Sequence, residues 1–306
     1  MQKSAHAPLI AVLRPGALGD FILTLPALTW LREWVGAGEI LLALSSGPLK
    51  LARDMKPEWW DWCVPYEGAL VRDILAGRVH PDLTVAVQPE LDLPESRCVC
   101  IPPFPPVRKH QAEHLCETLA HALNGRGKDP AVETSVAPNI REDVVHAYNQ
   151  WKREKKLAPA DAVVIHPGSG SEKKNWPEKN YAQLISVLEK DHGTDILLVE
   201  GPAEPEKCDR IAAIAGKHPT ILREIPTAFL FCLLRECRAY VGNDSGISHL
   251  AGAAGCECVV LFGPTRPEEW APKGKNVRVV QWDPADPLSL AFRDVLCQLS
   301  FWKGDT

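Results

Sequence analysis

Short apolar stretches alternate along the chain with longer amphipathic ones. The apolar stretches are rich in Val, Ile and Leu and too short for helices, which predicts strands buried on both faces of a parallel sheet. In the N-terminal half the predicted strands are Leu9–Arg14, Glu39–Leu44, Asp82–Val87 and Arg97–Ile101. In the C-terminal half they are Ala162–Pro167, Asp195–Gly201, Thr220–Glu224, Ala239–Asn243, Cys258–Gly263 and Asn276–Gln281.

Helices are predicted between these strands, within Asp20–Val35, His110–Leu123 and Val144–Leu157, with a last one near 288–302. Such alternation predicts α/β units. A polar, proline-containing stretch, 125–143, interrupts the series and is typical of a linker. We therefore expect two Rossmann-like domains with parallel sheets, residues 1–135 and 136–306, facing each other across a cleft. The last helix fits either domain, and a return onto the N-terminal domain stays open.

Composition and charge exclude several classes of protein. The 306 residues are 45% hydrophobic and 24% charged, as in a globular protein. The net charge of −5 gives no basic field for a nucleic-acid partner. No apolar run reaches the roughly eighteen residues of a membrane span. The short apolar stretch near the N-terminus predicts a strand rather than a signal peptide, so we expect a cytoplasmic protein.

The ten cysteines include two C-x-C pairs, Cys98/Cys100 and Cys256/Cys258, in apolar, strand-like stretches. We expect the side chains of each pair to point to opposite faces of the sheet and therefore to be poorly placed to share a metal. No C-x-x-C occurs, which argues against a zinc ribbon. The cysteines are expected to be reduced and mostly buried.

One candidate site is "GNDSGISHLAGAAG", residues 242–255, which follows a predicted strand. Asp244 or Ser245 can cap the helix that begins there, and Gly255 can end it in a left-handed conformation. Gly246 has no side chain to shield the backbone N–H groups of the first helical turn. These groups and the positive end of the helix dipole can therefore bind an anion. His249 lies about one turn further on. The alternative is an ordinary capped helix with a buried histidine.

A second candidate site is "IHPGSGSEKKNWPEKN", residues 165–180. Here a strand ends in a small, flexible turn, Gly168–Ser169–Gly170, followed by Lys173 and Lys174. Glycines let a backbone approach a phosphate, and either lysine can supply the positive charge. The G-x-x-x-x-G-K-[ST] pattern of a Walker A loop is absent. A solvated basic loop is the alternative.

A third is "LRPGALGDFILTLPAL", residues 13–28, which lacks the G-x-G-x-x-G dinucleotide fingerprint. Asp20 is placed near the first turn of a helix at the carboxyl end of the first strand. It can cap that helix, or it can act as a general base that faces the cleft.

A fourth pattern, His110-Gln-Ala-Glu113-His114, matches the H-x-x-E-H of some zinc peptidases. Two histidines four residues apart on one helix can share a metal. Because the rest of the chain predicts α/β domains, we expect a structural or substrate-lining role for this helix face instead.

Together the first three motifs, with "VVLFGPTRPEEWAP" after the first of them, resemble glycosyltransferase family 9, the ADP-heptose:lipopolysaccharide heptosyltransferases. The resemblance implies the GT-B fold and an inverting sugar transfer from an ADP-sugar to a lipopolysaccharide core or another glycolipid. The N-terminal domain would bind the acceptor and the C-terminal domain the nucleotide sugar. No cofactor is implied, and a peripheral contact with the inner face of the cytoplasmic membrane is left open.

The resemblance also implies roles for particular residues. Asp20 corresponds to the catalytic base and Lys174 to a lysine that contacts phosphate. The remaining expected donor-binding residues are Gly168, Ser169, Asp244, Ser245, Gly246 and His249, with Glu204 or Glu206 on the ribose. The expected acceptor-binding residues are Gly19, Arg108, Lys109 and His110.

The residues that carry the resemblance also suit the chemistry of an inverting sugar transfer. An inverting transfer needs one base, which Asp20 can supply, and a group that stabilises the departing diphosphate. Lys174 and the start of the Gly246 helix can do this without a metal. No D-x-D triplet occurs in the chain, so we expect metal independence. Three alternatives remain: a non-catalytic nucleotide-sugar-binding protein, a zinc hydrolase that uses His110 and His114, and a Rossmann oxidoreductase.

Overall fold

The strands form two separate parallel sheets in the computed structural model, which describes residues 7–94, 97–123, 136–192, 194–201, 204–286 and 288–301. The chain divides into two units, Met1–Asn139 and Ile140–Thr306. The expected α/β class, with one parallel sheet in each half of the chain, is confirmed. Most of the expected linker, 125–135, lies outside the described residues, and the second unit begins just before its first helix.

The first unit contains a five-stranded sheet. Its strands are β1 (Leu9–Arg14), β2 (Glu39–Leu44), β3 (Trp62–Pro65), β4 (Leu83–Ala86) and β5 (Cys98–Cys100), in the order β3-β2-β1-β4-β5. Its helices are α1 (Leu18–Val35), α2 (Ser46–Asp54), α3 (Ala69–Leu75) and α4 (Gln111–Ala122). The order reverses between β1 and β4, so this sheet has a switch point beside the carboxyl end of β1.

The second unit contains a six-stranded sheet. Its strands are β6 (Ala162–His166), β7 (Asp195–Val199), β8 (Thr220–Leu222), β9 (Ala239–Asn243), β10 (Cys258–Phe262) and β11 (Val277–Gln281), in the order β11-β10-β9-β6-β7-β8. Its helices are α5 (Glu142–Glu154), α6 (Glu178–His192), α7 (Lys207–Ala215), α8 (Thr227–Glu236), α9 (Gly246–Ala254), α10 (Pro267–Trp270) and α11 (Phe292–Leu296). The switch point lies between β6 and β9.

The central strands of both sheets are buried along nearly their whole length, as their continuous apolar sequences predict. One strand was not predicted. β3 is an edge strand of only four residues with a half-exposed pattern and a terminal proline, so its apolar run is too short to predict a strand. The last helix, α11, is much shorter than predicted and packs in the core of the second unit, against α6.

The expectation for the C-x-C pairs was wrong. Residues two apart on a strand point to the same face of the sheet, because only adjacent residues alternate. The sulfur atoms of Cys98 and Cys100, both on β5, are accordingly 3.6 Å apart. Those of Cys258, the first residue of β10, and Cys256, which precedes that strand, are 3.3 Å apart. All ten cysteines are free thiols, and six of them are buried. Among the described residues, His, Cys, Asp and Glu form no group of three or more that could hold a metal ion.

A single buried amide ties the ends of β6 and β9 to α6. Asn243 is the last residue of β9 and is fully buried. Its Nδ2 donates to the Pro167 carbonyl at 2.8 Å, and its Oδ1 accepts from the Trp176 backbone N–H at 3.0 Å and the Tyr181 hydroxyl at 2.9 Å. Nδ2 also lies 3.3 Å from Asn175 Oδ1. Asn243 therefore fixes the loop that joins β6 to α6.

We predict that Asn243→Ala lowers the free energy of unfolding by about 3 kcal/mol or more, because it leaves several buried polar groups without partners at about 1–3 kcal/mol each. Urea unfolding of the purified protein measures this loss. Asn276→Ala is the matched control, since Asn276 is exposed and donates to a single carbonyl, that of Gly255, at 2.9 Å. Equal losses in the two variants would contradict the central role of Asn243.

Candidate functional site

A glycine-bearing loop follows β6 at the switch point of the second sheet. Gly168 is a glycine for a steric reason, because a Cβ atom there would lie 2.3 Å from Glu204 Oε2. Glu204 Oε1 accepts from the Ser169 backbone N–H at 2.9 Å and from Asn175 Nδ2 at 3.1 Å. Ser169 is buried, and its hydroxyl donates to the Ser171 carbonyl at 2.6 Å. The loop is therefore held in one conformation around a carboxylate.

The structure distinguishes the two glutamates that the sequence left open. The Glu204 side chain is only 11% exposed and bonds to the loop after β6, with Lys207 Nζ 4.0 Å from Oε1. Burial lowers the pKa of Lys207, although the carboxylates of Glu204 and Glu178 oppose this shift. Glu206 is exposed and caps α7 in a left-handed conformation, with φ of 63°. Among the described contacts, Glu204 bonds to the loop after β6 and Glu206 does not.

The ammonium group of Lys174 lies at the start of α9. Lys174 Nζ is 2.8 Å from Asp244 Oδ2, and the Thr265 hydroxyl donates to the same oxygen at 2.6 Å. Asp244 is buried, whereas the Lys174 side chain is 31% exposed. A buried carboxylate thus holds a positive group that still faces solvent, an arrangement that suits the binding of an anionic ligand.

The helix that follows β9 begins and ends as its sequence predicts. Ser245 is the N-cap residue, and its hydroxyl accepts from the Ser248 backbone N–H at 3.4 Å. Gly246 is the first helical residue, and Gly255 ends the helix with φ of 80°. His249 is buried on the same helix. The positive end of the α9 dipole therefore lies next to the Lys174–Asp244 pair.

His166, at the end of β6, packs beneath the loop. A Cβ atom on Gly168 or Gly201 would lie 3.1 Å from its Cε1, so the imidazole packs closely against both glycines. The ring Nδ1 donates to the Val199 carbonyl at 2.9 Å. Burial lowers the pKa of His166, and the contacts with Val199 and Glu204 only partly oppose this shift. A neutral imidazole therefore supports the loop.

In the first unit, Asp20 lies in the first turn of α1, at the carboxyl end of β1. Its Oδ2 accepts from the Ala17 backbone N–H at 2.8 Å, and its Oδ1 lies 3.2 Å from Arg14 Nη2. Arg14 is buried and also donates from Nε to Thr24 Oγ1 at 2.8 Å. Gly16, with φ of 125°, gives the carboxylate room. Asp20 caps the helix, and with its side chain 31% exposed it also offers an oriented carboxylate.

The four expected acceptor residues have different environments. Gly19 is buried within the first turn of α1. Arg108 is exposed, whereas Lys109 forms an ion pair with Glu117. His110 is buried at the N-cap of α4, where its Nδ1 accepts from the Ala112 backbone N–H at 3.2 Å. Arg108 is thus the most accessible of the four for a ligand.

The two histidines of the zinc alternative form hydrogen bonds within the protein. His110 precedes α4 as its cap rather than lying on the helix. His114 Nε2 donates to the Pro102 carbonyl at 2.8 Å, and its Nδ1 lies 3.2 Å from the Thr118 hydroxyl. Both ring nitrogens of His114 are therefore engaged, which gives this pattern a structural role.

Four residues that contribute to these environments were not singled out from the sequence. They are Arg14 beside Asp20, Thr265 on Asp244, and Asn175 and Lys207 around Glu204. Arg14, Asn175 and Thr265 lie within the motifs quoted above, each within a few residues of a glycine or proline. The partners of Asn175 and Thr265 are more than twenty residues away in the sequence, so the roles of these two depend on the tertiary fold.

Comparison with known proteins identifies the family of this chain. The family model of glycosyltransferase family 9 (heptosyltransferase) matches residues 105–287. The lipopolysaccharide heptosyltransferase 1 of Escherichia coli strain K12 is 25% identical over 332 aligned positions, which cover 95% of this chain and 99% of that protein.

Solved structures show the same fold. The glycosyl transferase family 9 protein from Veillonella parvula gives a TM-score of 0.75 at 18% identity, covering 90% of this chain and 86% of that one. The E. coli heptosyltransferase WaaC with ADP gives a TM-score of 0.67 at 18% identity, covering 94% and 97%. Since the family model spans more than half of the chain and the fold agrees, this chain belongs to glycosyltransferase family 9 and is a glycosyltransferase of the GT-B fold.

Proposed function

We propose that this glycosyltransferase moves a heptose, or a related sugar, from an ADP-sugar to a lipopolysaccharide core or another glycolipid. The names of its relatives support the donor and the acceptor: a lipopolysaccharide heptosyltransferase and a heptosyltransferase solved with ADP. The observation that carries the proposal is the Lys174–Asp244 pair at the start of α9, because it places positive charge at the switch point of the second sheet.

In this proposal the second unit binds the nucleotide diphosphate and the first unit binds the acceptor. Ser169 and the backbone around Gly168 line the phosphate site, together with Lys174 and the first turn of α9. Glu204, rather than Glu206, is proposed to contact the ribose, because it is the glutamate that bonds to the loop after β6. Arg108 is proposed to contact the anionic part of the acceptor.

The proposed reaction is a single displacement with inversion at the anomeric carbon. An acceptor hydroxyl oxygen attacks that carbon as its proton passes to Asp20, while the bond to the β-phosphate oxygen breaks and ADP leaves. Arg14 and the Ala17 N–H hold the carboxylate in position for this role. Lys174 and the α9 dipole stabilise the charge that develops on the departing diphosphate, so the proposed reaction needs no metal.

The proposal places the reaction in the cytoplasm, at the inner face of the membrane that carries the glycolipid. Among the described residues, no helix is both long and apolar enough to cross a bilayer. Contact with the membrane is proposed to be peripheral.

A thermal-shift screen with ADP, UDP, GDP and NAD tests the proposed donor. A ligand that binds only the folded state stabilises it by about 2.7 kcal/mol at one hundred times its Kd. We expect ADP at that concentration to raise the melting temperature by roughly 5 °C or more, and the other three to have little effect. A response to UDP alone would change the proposed donor, and a response to NAD alone would favour the oxidoreductase alternative.

The two glutamates provide a matched pair for the same measurement. Glu204→Gln is expected to remove most of the ADP-induced shift, whereas Glu206→Gln keeps it. The melting temperature of each variant without ligand shows whether the substitution disturbs folding. If Glu206→Gln alone abolished the shift, the proposed ribose contact would be wrong.

Replacing the proposed base separates catalysis from binding. Asp20→Asn can still accept the cap hydrogen bond from Ala17, but it cannot take a proton. We expect kcat to fall by about 10²–10⁴, the usual contribution of general base catalysis, with the ADP-induced shift unchanged. Asp294→Asn is the control, since Asp294 accepts from the Ala291 N–H at 3.0 Å at the start of α11 in the same way. Full activity of Asp20→Asn would disprove the assignment.

Adjacent lysines test the proposed phosphate contact. Lys174→Ala is expected to lower kcat by about 10²–10³, because removal of one preorganised positive group costs a few kcal/mol in the transition state. Lys173→Ala is expected to retain activity, since Lys173 is exposed. Addition of EDTA to the wild-type assay should leave the rate unchanged. A rate that falls with EDTA and returns with added metal would contradict metal independence.

A further inference from the structure

We propose that residues 102–108, here called the proline loop, dock the protein onto an anionic lipid bilayer. Phe104 and Val107 would enter the interfacial region, and Arg108 would contact lipid phosphate. The inference rests on the proposed function, in that a glycolipid acceptor lies at a membrane surface. It goes beyond that function by assigning the membrane contact to one segment of the first unit.

Exposed apolar side chains mark this loop. Phe104 is 66% exposed and Val107 is 65% exposed, which is more than any other large hydrophobic side chain among the described residues. They are three positions apart on one surface segment. Single exposed apolar residues are common on proteins, but two so close together and so exposed suggest an interaction site.

The fold keeps the side chains of Phe104 and Val107 exposed. Pro102, Pro103, Pro105 and Pro106 restrict the backbone of the loop. Its first two carbonyl groups are held by α4: His114 Nε2 donates to Pro102 and Gln111 Nε2 donates to Pro103, both at 2.8 Å. His114 and Gln111 are themselves buried. A loop anchored in this way cannot fold back to bury Phe104 and Val107 at low cost.

The local charge complements an anionic surface. From residue 97 to residue 110 the chain contains Arg97, Arg108 and Lys109, and neither Asp nor Glu. Arg97 and Arg108 are exposed, while Glu117 pairs with Lys109. Peripheral proteins bind anionic membranes by combining apolar insertion with electrostatic attraction, because either contribution alone is weak. A loop with both apolar and basic residues offers this combination.

A bilayer fits this surface better than a protein partner does. A stable protein interface buries about 800 Å² on each side and needs a broad, complementary patch. Two exposed apolar side chains on one short loop offer much less area. Insertion into the headgroup region needs only a few apolar groups, which makes the bilayer the favoured occupant.

Sedimentation with lipid vesicles tests the proposal, using the full chain without donor or acceptor. Wild-type protein is expected to bind vesicles that contain phosphatidylglycerol, and to bind pure phosphatidylcholine vesicles at least ten-fold more weakly. Phe104→Ser/Val107→Ser should reduce partitioning onto the anionic vesicles by ten-fold or more, and Arg108→Glu should reduce it several-fold. Higher salt should weaken the wild-type binding.

A control pair lies in the second unit. Ile214 and Leu288 are 55% and 52% exposed, so Ile214→Ser/Leu288→Ser removes a similar apolar surface elsewhere and should leave partitioning unchanged. The proposal is overturned if wild-type protein does not bind the anionic vesicles, or if the two double variants bind equally well. The ADP-induced thermal shift, measured on the same samples, tests the donor site separately, so loss of vesicle binding with an intact shift counts against the loop alone.

Discussion

The arrangement of the second unit depends on the buried side chain of Asn243. This one amide bonds to the Pro167 carbonyl after β6, to the backbone N–H of Trp176 and to the hydroxyl of Tyr181. If the ends of β6 and β9 separated, several buried polar groups would lose their hydrogen-bond partners. Lys174 directly precedes the anchored segment, and Asp244 directly follows Asn243. Both charged groups are thus positioned by a neutral hydrogen-bond network beneath them.

The charges above this network are arranged before any ligand binds. Thr265 and Lys174 share one oxygen of Asp244, and Asp244 is buried, so its carboxylate needs both partners. The ammonium group therefore loses little freedom when an anion arrives. Asp20 in the first unit follows the same principle, because the buried guanidinium of Arg14 fixes its orientation. In each unit a buried polar partner orients a half-exposed charged side chain.

The fold was largely predictable because most central strands are longer apolar runs, whereas β3 is a half-exposed edge strand of only four residues that ends in a proline. The cap at Ser245 was predictable because capping is local in the sequence. The different environments of Glu204 and Glu206 were not predictable, since they depend on a left-handed backbone at Glu206 and on contacts of Glu204 with residues about thirty positions away. The contacts of His110 and His114 were likewise not visible in the sequence pattern, since His110 caps α4 and His114 donates to the Pro102 carbonyl in the preceding loop.

The distribution of the thiols has a practical consequence. Cys297 is exposed, whereas the other nine cysteines are buried or half-buried. Burial raises the pKa of Cys116 and of Cys208 to about 12, which keeps both as unreactive thiols at neutral pH. A maleimide dye would therefore attach mainly at Cys297, just after α11, and would report on the second unit without any engineered cysteine.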